Sequence, residues 1–161
     1  MLASLAHLAS TWTAWYSDSP VLRTSIEFAH VAGLLLGGGA AIVEDRAMLS
    51  ALKQDEQVRR HRVEHQRLAH RIVLIGLTIA VVSGLLLFAA DWDTYLVSKV
   101  FWTKMVLVVL LLANGLGLTR AEAAAVRGEP RAWTRLRRGA IVSLTLWFLT
   151  TLAGTALPNV G

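Results

Sequence analysis

Four apolar stretches, at roughly 21–43, 71–90, 100–119 and 140–158, constrain this chain more than any other feature. Crossing the hydrocarbon core of a bilayer takes about 20 predominantly apolar residues. Because the interior of a bilayer offers no water to the backbone, such segments fold as helices that satisfy their own peptide groups. The chain has 161 residues, 55% of them hydrophobic, which is more apolar surface than a soluble core of this size needs. The expected fold is all-α, an integral membrane four-helix bundle over 19–161 preceded by an interfacial helix over 1–18.

Lys and Arg set the orientation, because cytoplasmic loops hold the positive excess. The 44–71 connection carries Arg46, Lys53, Arg59, Arg60, Arg62, Arg67 and Arg71, and the 120–138 connection carries Arg120, Arg127, Arg131, Arg135, Arg137 and Arg138. Together they hold 13 of the 16 basic residues, whereas residues 1–20 hold none and the 91–99 loop only Lys99. Both termini are therefore expected outside, in a bacterial cytoplasmic (inner) membrane. The net charge of +5 reads as a topology signal rather than a nucleic-acid surface.

No basic residues precede the apolar N-terminus, so it does not read as a secretory signal. Leu2, Leu5, Leu8, Trp12, Trp15 and Tyr16 suggest an amphipathic helix at headgroup depth, with His7 facing headgroups. Ser19 is placed to cap the next helix, with Pro20 at its first position. Residues 55–70 lack Gly and Pro and suit a charged helical extension below the second span.

Small residues mark packing faces. Gly33, Gly37 and Ala41 recur every four residues on the first span, the spacing that lets helix backbones approach closely in lipid. Gly76 and Gly84 with Ala80 and Ser83 on the second span, and Gly154 with Ser143 and Thr150 on the fourth, extend the pattern.

Within these spans sit three ionisable groups, Glu27, His30 and Lys104. Ionisable residues in hydrocarbon are costly and mark a functional site by default. At ~1.5 Å per residue, Glu27 and Lys104 each lie roughly 9 Å below the outer ends of their helices and can pair, with His30 one turn deeper. Three readings stay open. One is a polar clasp, His30 bonding Glu27 or Thr150. Another makes His30 a ligand to b haem or copper, with Met105 as a soft second ligand. The last is a proton or quinone site.

His61 and His65, an i, i+4 pair, form a weaker metal candidate, opposed by the cationic run Arg59-Arg60-His61-Arg62. The absence of Cys removes thiolate sites. Gly37-Gly38-Gly39 lies within a span and reads as packing, not as a phosphate loop. No Ser or Thr has a His–acid partner set, so no catalytic residues are assigned. Glu44, Asp45 and Arg46 read as a charged stop able to bridge neighbouring helix ends.

The run from Ser19-Pro20 through Glu27-Phe28-Ala29-His30-Val31-Ala32-Gly33 to Glu44-Asp45-Arg46-Ala47-Met48-Leu49 resembles the first helix of an uncharacterised family of small bacterial membrane proteins, broadly similar to copper-resistance protein D. Ser83-Gly84-Leu85-Leu86-Leu87-Phe88, then Phe101-Trp102-Thr103-Lys104, with Asn114 beyond, continue the likeness over about 12–157. The resemblance implies a four-helix bundle and points to Glu27, His30 and Lys104. Helix four departs from the pattern, with Gly154-Thr155-Ala156-Leu157-Pro158 where a basic residue is expected. The expected function is a non-catalytic membrane module, a homodimer or a small subunit of a larger complex such as an electron-transfer assembly. The alternatives are a haem- or copper-binding protein at His30 and a small transporter or proton conduit.

Overall fold

The computed structural model of the chain describes the backbone of residues 2–64 and 67–160 and the side chains of 10–64, 69–157 and 159. Seven helices and no strand occur among the described residues: α1 (Leu2–Asp18), α2 (Pro20–Ala51), α3 (Glu56–Glu64), α4 (Arg67–Ala90), α5 (Trp92–Val97), α6 (Lys99–Val126) and α7 (Ala132–Val160). Four of them, α2, α4, α6 and α7, are long and apolar enough to cross a membrane. Their outer faces carry Phe28, Leu35, Leu74, Leu85, Val109 and Phe148, all exposed, as lipid contact requires and water would penalise.

Local chemistry sets the helix ends. Ser19 caps α2 by accepting from the Leu22 amide at 3.3 Å, with Pro20 following. Ser98 does the same for α6, accepting from Phe101 N at 3.2 Å. α6 closes at Gly128, whose φ of 78° is the left-handed conformation that favours glycine. There Gly128 N donates to Ala125 O and Glu129 N to Ala124 O, both at 3.0 Å, which satisfies two carbonyls of the last turn.

α2 runs eight residues past the expected end of the first span, because Glu44, Asp45 and Arg46 are compatible with helix and Asp45 is drawn into the bundle. The charged stretch after it is helical over α3, which lies against α2 and α6; residues 65 and 66, between α3 and α4, lie outside the described residues. Val63 buries its side chain and Arg62 binds Glu44 at 2.6 Å, which accounts for the docking.

The bundle is two antiparallel pairs, α2 with α4 and α6 with α7, joined where α2 meets α7. In the first pair the backbones nearly touch: a Cβ at Gly33 would lie 2.7 Å from Ala80 N and 2.8 Å from Gly76 O. The small-residue face of α2 is therefore covered by α4 within one chain. The second pair interlocks through Gly139, whose missing side chain admits Leu118, and through Asn114 Nδ2 donating to Gly139 O at 3.0 Å. Ala41, Leu111, Leu146 and Trp147 form the mid-bundle core, with the Trp147 ring seated on Gly38. A second core of Met48, Val63, Ala121, Ala124, Ala125, Ala132 and Leu136 closes the end next to α3.

Candidate functional site

At the end of the bundle bearing α1 and α5, the polar residues of the spans sort into two places. Glu27 stands on the exposed side of α2, and its Oε1 accepts from the Tyr16 hydroxyl of α1 at 3.2 Å. Tyr95 of α5 is also within electrostatic reach of Glu27. Burial, then the bond to Glu27, pushes the Tyr16 hydroxyl up to about 12, so it stays a donor. Trp12 Nε1 donates to Leu86 O at 3.1 Å, which pins α1 to the end of α4. Phe88, Tyr95 and Phe101 stack at 5.3–6.2 Å to close the α4–α5–α6 corner.

His30 lies one turn further along α2 and faces α4. Its Nδ1 is 2.9 Å from Ala80 O and 3.2 Å from Ser83 Oγ. A carbonyl only accepts, and the single Ser83 hydroxyl proton is directed to Ile79 O at 2.6 Å, so Nδ1 carries the hydrogen. Gly84 makes room for the ring, since a Cβ there would meet Cε1 at 3.1 Å. Among the described residues no hydrogen bond reaches Nε2, which leaves its lone pair available, the arrangement that orients a ligating imidazole.

Lys104 projects from α6 onto the open side of Gly154, with Nζ 3.5 Å from where a Cβ would stand, and is near enough to His30 to act on it electrostatically. The ion pairs of the described residues do not join it to Glu27. Thr150, one turn from Gly154 on α7, is 4% exposed and its Oγ1 has no hydrogen-bond partner; Thr145 and Thr151 bond their own helix at 2.9–3.0 Å. Met105 is half-buried on α6, about 100° around the helix from Lys104. The structure thus places Lys104 within electrostatic reach of His30 and sets Glu27 apart with the tyrosines.

The opposite end holds a second polar group, built on the charged stop that the sequence suggested could bridge neighbouring helix ends. Asp45 is 7% exposed, lies within interaction range of Ser143 of α7, and leaves Oδ2 without a partner. Glu122 of α6 lies 3.5 Å from His70 Nε2 of α4, and both are within electrostatic reach of Asp45. All four spans contribute to this layer. An acidic residue just past the first span was its one signal in the sequence.

On α3, His61 is exposed, while His65 lies outside the described residues, as do the side chains of Leu2, Leu5, His7 and Leu8. No group of three or more His, Asp or Glu side chains among the described residues is arranged to hold a metal ion. The donor set at His30 offers one imidazole nitrogen with a lysine within electrostatic reach, which could supply a single protein ligand to a haem and does not make up a chelating copper site. Comparison with known proteins gives no match: neither a family model, nor a curated protein, nor a solved structure is similar to this chain.

Proposed function

We propose that this protein is a non-catalytic module of the bacterial inner membrane, with both termini outside, that works as a homodimer or as a small subunit docked through α6. The observation that carries this reading is the openness of α6. Only 6% of its most apolar 18-residue stretch is buried, the lowest share among the four spans. Ala113 and Gly117, one turn apart, are exposed, and nothing lies within 4 Å of a Cβ placed at Gly117. Small residues at that spacing let a partner helix approach closely in lipid. The face of α2 that shares this chemistry is taken by α4, so α6 is the surface left for a partner. The basic end, rich in arginine, supports the orientation.

Because the chain has no Cys, single-cysteine cross-linking tests the reading cleanly. Oxidation of Ala113→Cys or Gly117→Cys in native membranes should give a covalent homodimer or a defined adduct, and Leu74→Cys on α4 should not. A monomer at all three positions would end this proposal.

A second reading follows from the free Nε2 of His30. Held through Nδ1 by a backbone carbonyl, the ring would offer Nε2 as a ligand to the iron of a b haem or as an acceptor for the hydroxyl of a quinol. Oxidised and reduced absorption spectra of gently purified protein decide it: a Soret band lost in His30→Ala supports haem, and a blank spectrum in both removes it.

A further inference from the structure

We propose that a basic groove on the outer face of α7 binds one anionic phospholipid. Arg131, Thr134, Arg135 and Arg138 line a groove of about 490 Å³. They recur at i, i+3, i+4 and i+7, so they share one face of the helix. The opposite face is the most deeply packed in the molecule, with Ala132, Leu136 and Ala140 at 0% exposure. The groove is therefore held on a rigid base.

Charge accounting separates this groove from the basic surface of α3. The arginines of α3 are engaged within the chain: Arg60 with Glu56 and Arg62 with Glu44, each at 2.6 Å, and Arg59 over the Trp133 ring at 5.1 Å. In the groove, Arg135 has only Glu129 at 3.8 Å, and that carboxylate is held closer by Arg127, at 2.8 Å. Neither Arg131 nor Arg138 joins an ion pair among the described residues. Three guanidinium groups and a hydroxyl thus face outward with little internal compensation, and guanidinium forks match phosphate oxygens.

The same face then turns apolar. Beyond Arg138 it continues through Val142 and Leu149, both exposed. Thr145 between them donates to Ile141 O at 3.0 Å, so its hydroxyl is satisfied without water. A phosphate-binding head at the edge of a membrane span, followed by an apolar track along it, is the imprint of a phospholipid with a negatively charged headgroup. Free phosphate would use the head and leave the track idle. The inference requires that the spans lie in a bilayer and is independent of the α6 interface.

The test is native mass spectrometry of the full chain released from phosphatidylcholine nanodiscs containing phosphatidylglycerol. One phosphatidylglycerol per chain should survive release, and excess inorganic phosphate should not displace it. Arg131→Gln, Arg135→Gln and Arg138→Gln combined should weaken retention roughly a hundredfold, since each arginine near an anionic surface is worth about a factor of five. Removing three charges can disturb insertion, so Thr134→Trp serves as the second variant: it fills the groove, keeps all three arginines and should also lose the lipid. Equal retention in Thr134→Trp, equal retention of phosphatidylcholine, or displacement by phosphate would each overturn the proposal.

Discussion

His30 on α2 places its Nδ1 2.9 Å from the carbonyl oxygen of Ala80 on α4, one turn from Gly33, where the two helix backbones come close. The bond and the packing support each other, because Gly84 leaves the space the ring occupies. His30→Ala should therefore lower stability by about 1–3 kcal/mol, through the lost hydrogen bonds and the void left beside Gly84. Gly84→Ala should displace the ring and remove any ligand signal while His30 is still present. Thermal unfolding in detergent and an absorption spectrum of each variant check both outcomes.

The α2–α4 contact makes a sharper prediction about glycine. A Cβ at Gly76 would come within 2.6 Å of Gly37 Cα, with the backbone nitrogen closer still, and backbone atoms have no rotamer to escape into. Gly76→Ala should cost about 1–3 kcal/mol by overpacking. Gly39→Ala, with nothing within 4 Å, should be neutral or slightly stabilising, since alanine is the better helix former. If both variants unfold alike, the close approach of α2 and α4 is wrong.

Which parts of this arrangement can be read from the chain follows from how locally they are encoded. The spans, the Ser19–Pro20 start and the small-residue faces rest on hydropathy, capping and spacing within a few residues. Helix neighbours do not. Four spans that are apolar nearly all round carry little direction in their periodicity, so matched depth made Glu27 and Lys104 look like partners. Their azimuths differ: Glu27 turns to Tyr16 and Lys104 to the α7 side of the bundle. The Asp45 layer joins residues of four helices, and it becomes visible only once the order of packing is known.

Tyr16 gives a prediction in pH. Its hydroxyl is raised from the ordinary 10.0 to about 12, first by burial and then by the bond to Glu27. A tyrosine raised in the folded state contributes stability that is whole below pH 10 and is lost as pH climbs through about 12. The attachment of α1 should thus be insensitive to pH up to about 10 and loosen above it. Tyr16→Phe should remove that dependence and cost about 1 kcal/mol or less at neutral pH. Tryptophan fluorescence from Trp12 and Trp15, followed across the alkaline range in both proteins, reports the outcome.

At the α3 end, Asp45 offers the most direct check of the second polar layer. Its carboxylate lies within interaction range of Ser143, and Oδ2 is buried without a donor, within reach of the charges of Glu44 and Glu122. Asp45→Asn keeps an acceptor for Ser143, removes a negative charge from a crowded acidic setting and puts N–H groups where a donor is missing. It should leave stability unchanged or raise it by about 1 kcal/mol. Asp45→Leu strands the Ser143 hydroxyl and crowds the gap between α2 and α7, and should cost about 1–3 kcal/mol. The order of the two melting temperatures is the readout. Asn above Leu is expected of a layer that needs hydrogen bonds and little charge, and the reverse order would show that Asp45 is not packed against α7.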